Sequence, residues 1–243
     1  MAIISCSLAY LITQLGGLFN ELRVDRKQVS CLNCILSSGA NVADSAEMQP
    51  IHSTIAEEET MKVAILNGNP DANNDVFDSY LKKLSDALMS DNHVVTIFDL
   101  REMDVRYCTG CFGCWVETPG ECVENDDSRH ISREYINSDF VLFASPVIMG
   151  FTSALLRKAQ ERLLPLLLPY FGFVQNEVQH LSRYEKYPLV GLLLEKGKDT
   201  DEEDIKVISD IYQRTAFNSR TSFCFTKLTS DPVEEVADEI NRI

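Results

Sequence analysis

From residue 61 onward, apolar positions fall into two alternating rhythms. Lys62–Asn67 (KVAILN) is a short apolar run closing in Asn-Gly-Asn-Pro, which predicts a strand entering a loop. Phe77, Tyr80, Leu81, Leu84 and Leu88 recur at spacings of three and four and predict a helix over 74–90. His93–Leu100 (HVVTIFDL) reads as a second strand and, after a long loop, Ile131–Ile136 as helix. Phe140–Ser145 (FVLFAS) is a continuous apolar strand closed by Pro146, and Thr152–Leu168 reads as helix. Phe173–His180 predicts a hairpin turning at Asn176, and Leu189–Leu194 (LVGLLL) a buried strand. Ile205, Ile208, Ile211 and Tyr212 mark a helix opened by acidic residues, which suit the positive end of the helix dipole. Thr221–Leu228 is a strand, and Asp231-Pro232 an N-cap and first position for a last helix carrying Val233, Val236 and Ile240.

Strands thus alternate with helices, and several strands are apolar throughout. That pattern implies a parallel sheet covered on both faces. The β-α units of residues 61–243 match an α/β three-layer sandwich with a five-stranded parallel sheet of order 2-1-3-4-5. In such sheets ligands bind beyond the carboxyl ends of the strands, where the first and third strands diverge. Residues 67–76, 105–127 and 145–152 must then carry the chemistry.

Residues 1–60 are of another character. The stretch 1–19 is apolar, but no Lys or Arg precedes Arg23, as a signal peptide requires. Ser5, Ser7, Thr13, Gln14, Gly16 and Gly17 interrupt it as a membrane helix. Residues 37–60 are polar and small and read as linker or disorder. We expect an N-terminal extension over 1–60, partly disordered, ahead of a folded domain over 61–243. Glu57-Glu58-Glu59-Thr60 precedes Met61, and purine-rich Glu codons there would resemble a ribosome-binding site. The corresponding expectation is that Met61 is the natural start and that 1–60 is not native.

The chain has 243 residues with 22 Lys+Arg against 37 Asp+Glu, a net charge of -15. Phosphate backbones and anionic membrane surfaces repel such a protein, so neither nucleic acid nor membrane is an expected partner. A cytoplasmic location is expected. Of eight cysteines, Cys108, Cys111, Cys114 and Cys122 form a C-x2-C-x2-C-x7-C run. Gly110, Gly113 and Gly120 let the backbone curl so that several sulfurs can face one centre. Four thiolates suit a [4Fe–4S] cluster or tetrahedral zinc, and unliganded thiols are the third reading. Cys6, Cys31, Cys34 and Cys224 lie outside the run and are not expected as ligands.

The loop Asn67-Gly68-Asn69-Pro70-Asp71-Ala72-Asn73-Asn74-Asp75 is neither a glycine-rich dinucleotide fingerprint nor a P-loop. It reads as a β-α turn with an Asn cap, whose free N–H groups can hold a single phosphate. Segment 145–154 (SPVIMGFTSA) would expose Val147, Ile148, Met149 and Phe151 at a strand end. A flat apolar ligand would cover them, or a neighbouring loop or subunit would. The run Leu163–Tyr170 (LLPLLLPY), broken by Pro165 and Pro169, predicts an exposed apolar patch and a homo-oligomer. A hydrolase is not expected: there is no G-x-S-x-G, and His52, His93, His130 and His180 show no pairing with a nucleophile.

Together these segments resemble the NAD(P)H-dependent FMN reductase and iron–sulfur flavoprotein families of the flavodoxin-like superfamily. The resemblance covers about residues 61–243. It implies a flavodoxin-like fold and FMN rather than FAD. It places the phosphate at Asn69, Pro70, Asn73, Asn74 and Asp75, and the ring system against Pro146, Val147, Ile148, Met149, Gly150 and Phe151. It implies NAD(P)H as co-substrate, a [4Fe–4S] cluster on the four cysteines, and a small-molecule or protein electron donor or acceptor such as ferredoxin. No side chain is expected to act as a catalytic nucleophile, because the flavin carries the chemistry. Asp71 and Asn74-Asp75 stand where the family has a basic residue and Ser/Thr. An electron carrier docking a basic partner, and a flavin-free module with a structural zinc site, are the alternatives.

Overall fold

The computed structural model describes residues 60–243. The expectations for 1–59, and with them Cys6, Cys31 and Cys34, lie outside the described residues. The first half of the described chain contains β1 (Lys62–Asn67), α1 (Asp75–Ser90), β2 (Val94–Asp99), α2 (Gly113–Val116), α3 (Ser128–Asn137) and β3 (Phe140–Ile148). There follow β4 (Phe151–Thr152), α4 (Ala154–Glu161), β5 (Leu167–Val174) and β6 (Glu177–Ser182). β7 (Leu189–Glu195), α5 (Glu202–Asn218), β8 (Phe223–Leu228) and α6 (Val233–Asn241) complete the chain.

The main sheet has the order β2-β1-β3-β7-β8, all parallel, with β4 antiparallel to the end of β3. Among parallel strands this is the expected 2-1-3-4-5, and the fold is flavodoxin-like. Strand side chains alternate between faces. Ala64, Leu66, Phe143 and Leu192 pack with Ile131, Leu156, Ile208 and Tyr212 on one face. Val63, Ile65, Leu142 and Leu193 pack with Phe77, Leu84, Val236 and Ile240 on the other. Burying both faces is why these strands are apolar at nearly every position. Among the described residues no helix is long and apolar enough to cross a membrane.

Four elements differ from the sequence pattern. The helix expected over 152–168 ends at Glu161, and a 3-10 turn over Leu164–Leu166 leads into β5. Pro165 has no N–H to continue the ladder and disfavours helical backbone at Leu164, while the Arg162 side chain is drawn to Asp126 and Ser128. The strand expected to close at Pro146 runs to Ile148, because Ser145 and Pro146 still face Leu194 and Glu195 of β7. The hairpin expected over 173–180 is longer, pairing 167–174 with 177–182. Its turn lies where expected: Gln175 and Asn176 have φ of 50° and 65°, the left-handed pair that a tight β-hairpin needs. The last helix begins one residue late. Pro232 occupies the cap position, and the Asp231 carboxylate turns back to accept from Leu228 N.

The run Leu163–Tyr170 is also more buried than expected: Pro165, Leu166 and Leu167 enter the interior. Exposed apolar surface lies instead on the hairpin, at Tyr170, Phe171, Phe173 and Val178.

Candidate functional site

The β1–α1 loop is held from below by a polar node. The Asp78 carboxylate accepts from Asn67 Nδ2 at 2.9 Å, Asn69 Nδ2 at 3.0 Å and Arg101 Nη2 at 2.8 Å. Burial works against its charge, but these donors outweigh it and hold the carboxyl below the usual aspartate range. Asn67 Nδ2 also reaches Asp99 Oδ1 at 2.8 Å, so the ends of β1 and β2, the loop and α1 meet here. Asn69 is wholly buried, and its carbonyl oxygen accepts from Asp71 N at 3.1 Å. Its side chain is therefore spent on shaping the loop.

The outer part of the loop bonds to itself. Asp71 Oδ1 accepts from Asn73 N and Asn73 Nδ2 at 2.9 and 3.1 Å, and Asn74 N donates to Asp71 O at 3.1 Å. Asn74 caps α1 by accepting from Phe77 N at 3.3 Å, and its Nδ2 donates to Glu195 Oε2 at 2.6 Å.

The β3–β4 turn stands beside this loop. Ile148 pairs with Phe151 across Met149 and Gly150, whose φ of 51° and 75° are those of a tight two-residue turn. Met149 is 100% exposed and Ile148 40%, so an apolar knuckle projects from the sheet edge. Ser145 Oγ accepts from Ser153 N at 2.8 Å. Ser153 Oγ caps α4 and donates to Gly68 O, which joins the turn to the first loop. Contact is tight: a Cβ on Gly68 would lie 2.7 Å from Leu156 Cβ and 2.9 Å from Ser153 Oγ.

Of the residues expected at the cofactor, Pro70, Asn73, Asp75, Ile148, Met149 and Gly150 are exposed, and Asn74, Pro146 and Phe151 partly so. Asn69 and Val147 are buried. The pattern did not single out Ser153, Arg101, Asp78 or Glu195. Ser153 alone carried a local signal, as an N-cap ahead of an amphipathic run.

The cysteine loop is pinned at both legs. Asp126 accepts from Arg106 N at 3.0 Å, Asp127 from Asp104 N at 2.8 Å, and Arg129 Nε donates to Cys122 O at 2.9 Å. A Cβ on Gly113 would fall 2.5 Å from Val123 Cγ1, so glycine there lets the Cys111–Cys114 leg approach the Cys122 leg. Trp115 anchors the loop: its Nε1 donates to Leu167 O at 3.0 Å, and its ring lies 5.1 Å from Phe112 and 5.2 Å from His180. Cys108 and Cys111 are exposed, Cys122 is intermediate and Cys114 is buried. Burial pushes the Cys114 thiol up to about 11, and Cys122, Cys108 and Cys111 add to the shift. Among the described residues, no three His, Cys, Asp or Glu side chains are grouped as metal ligands. An apolar cavity of about 410 Å³ lies against Cys108 and Leu164, lined by Tyr135, Phe143, Tyr187 and Tyr212 and not by the two loops above.

The two loops can be tested against a flavin. The exposed Ile148–Met149 knuckle suits a flat apolar ring, and the Asp75 and Val76 N–H groups at the start of α1 are available to an anion. The ring end therefore fits. The phosphate end offers backbone donors but no cation, since Arg101 is turned inward to Asp78.

The chain matches solved structures at the level of fold. It aligns with NAD(P)H:quinone oxidoreductase from Methanothermobacter marburgensis over 75% of this chain and 91% of that one, at 15% identity and a TM-score of 0.52. It aligns with azoreductase AzrA over 75% of this chain and 100% of that one, at 14% identity and a TM-score of 0.50. Two curated proteins are similar in sequence. An iron-sulfur flavoprotein from Archaeoglobus fulgidus is 39% identical over 61 residues, 25% of this chain and 27% of that protein. An iron-sulfur flavoprotein from Clostridioides difficile is 30% identical over 105 residues, 42% of this chain and 45% of that protein. The chain thus matches less than half the length of either relative. The model of the family described as NADPH-dependent FMN reductase matches residues 61–170, which hold β1 to α4, both loops and all four clustered cysteines. Over this segment the chain is similar to the NADPH-dependent FMN reductase family and, in part, to proteins named iron–sulfur flavoproteins.

Proposed function

We propose that the protein is an FMN-dependent oxidoreductase that moves electrons between NAD(P)H or a ferredoxin and an acceptor. The observation that carries this reading is the bond from Ser153 Oγ to Gly68 O. It unites the β1–α1 loop and the β3–β4 turn at the carboxyl edge of the sheet, within the segment matched by the FMN reductase family. Bound there, the flavin supplies hydride and electron transfer. The chain supplies position. Pro70, Asn73, Asn74 and Asp75 face the phosphate end, supported by Asn69 beneath them. Pro146 to Phe151 carry the ring, with Ile148 and Met149 shielding it from water. A flavin spectrum that NAD(P)H bleaches without oxygen is the expected result. Protein that cannot be loaded with flavin would end this reading.

The finer proposal assigns a [4Fe–4S] cluster to Cys108, Cys111, Cys114 and Cys122. Its support is the C-x2-C-x2-C-x7-C run on one pinned loop and relatives named as iron-sulfur flavoproteins. Exposed Tyr170, Phe171, Phe173 and Val178 on the hairpin support a homo-oligomer. Light scattering that finds only monomer at micromolar concentration would remove that part. A cytoplasmic location remains part of the proposal, and the acidic charge supports partners other than nucleic acid.

A further inference from the structure

We infer that this site selects its ligand by the flavin ring and that the phosphate adds no net affinity, so that riboflavin binds as well as FMN. The inference rests on the flavin reading above and concerns which flavin the β1–α1 loop accepts.

Most of the loop's donors are already engaged. The N–H of Asp71 is taken by Asn69 Oδ1, that of Asn73 by Asp71 Oδ1, that of Asn74 by Asp71 O, and that of Phe77 by Asn74 Oδ1. The Asn73 amide is taken by Asp71 and the Asn74 amide by Glu195. An aspartate side chain thus already occupies the place in the loop where an external anion would gather N–H groups. What remains are the N–H of Ala72 and the first turn of α1 at Asp75 and Val76, where the helix dipole is favourable to an anion.

Charge opposes that remainder. Asp71 and Asp75 are the ionisable side chains of the loop, and Glu195 stands against it through Asn74. Arg101 donates to Asp78 from beneath, so its charge is matched there. In the neighbouring β7–α5 loop, Lys196 pairs with Glu202, and Lys198 is followed by Asp199 and Asp201. A doubly charged phosphate would meet carboxylates on each side and no unmatched cation within the loop. Coulomb repulsion then offsets the helix-start donors. Preference for FMN over riboflavin is a difference of affinities and requires a favourable phosphate contribution, which these residues do not supply.

The test is equilibrium titration of the full chain with FMN and with riboflavin, followed by flavin fluorescence. The dissociation constants are expected to agree within about fivefold, with FMN binding no weaker when NaCl rises from about 0.05 to about 0.5 M. Asp71→Asn keeps the shape of the exposed side chain and removes its charge. It is expected to tighten FMN about fivefold or more and to leave riboflavin unchanged. FMN tighter than riboflavin by more than about fivefold, or weakened by salt as a phosphate–cation site would be, overturns the inference while the flavin reading stands. Equal FMN affinity in wild type and Asp71→Asn also overturns it. Binding of neither flavin overturns both.

Discussion

Arg162 Nη2 lies 2.9 Å from both carboxylate oxygens of Asp126, and the two side chains are 3% and 0% exposed. Ser128 completes the group, donating to Asp126 and accepting from Arg162 Nε at 3.0 Å. The pair ties the end of the cysteine loop to the end of α4. Arg162 lies just past the last residue of α4, ahead of the Pro165 turn that leads to the hairpin. Asp126 stands 36 residues from Arg162, a distance at which no local rule connects them.

Removing one partner of this pair should be costly, because the other is left charged and dry. Asp126→Asn is expected to lower stability by about 3–5 kcal/mol in urea denaturation. An Asp126→Leu/Arg162→Met double variant should recover much of that loss.

The same pair sets an acid limit. Burial alone would raise the Asp126 carboxyl, but Ser128, the Arg106 and Ser128 N–H groups and Arg162 hold it below the usual range. A lowered native value contributes stability that is complete above the ordinary aspartate value, about pH 4. That contribution fades as pH falls through the lowered value. Wild type should therefore lose stability more steeply than Asp126→Asn in acid, measured as midpoint against pH.

Gly68 sits where the two loops touch. In Gly68→Ala the new Cβ would meet Leu156 Cβ at 2.7 Å and Ala144 O at 3.1 Å, so the loops must part. A loss of about 1–3 kcal/mol is expected, with weaker flavin binding by fluorescence titration. Unchanged stability would show that the contact relaxes freely.

Arg101 supports the loop without facing a ligand. Arg101→Met deprives Asp78 of its 2.8 Å donor and frees Asn69 from a fixed geometry. Stability is expected to fall by about 1–3 kcal/mol. Flavin should dissociate faster in stopped-flow, and Arg101→Lys should restore part of both.

The cysteine assignment is read in iron and sulfide. Cys114→Ser, purified without oxygen, should lose both relative to wild type. Cys224→Ser, on β8 outside the loop, should retain them. Iron missing from wild type as well would exclude the cluster.

The sheet was open to reading because parallel strands buried on both faces are apolar at every position, as VAIL, VLFA and LLL are here. The Gln175-Asn176 turn and the loop following Asn67 were visible for a similar reason: turn chemistry acts over two to four residues. The chemistry-bearing segments could be named because topology alone sends ligands to the strand ends. What stayed hidden involves residues far apart in the chain. Ser153 meets Gly68 across 85 positions, and Glu195 meets Asn74 across 121. Asn69 looked like a ligand contact, yet Asp78 and Arg101 turn it inward as a scaffold. The helix after β4 looked long because leucines continue its spacing. It stops because Pro165 cannot continue the helical ladder, and the Arg162 side chain turns there to a buried carboxylate. Periodicity reports which face of an element is dry, since it depends only on the next few residues. Which polar groups share a buried site depends on how distant elements pack, and no spacing in the chain encodes it.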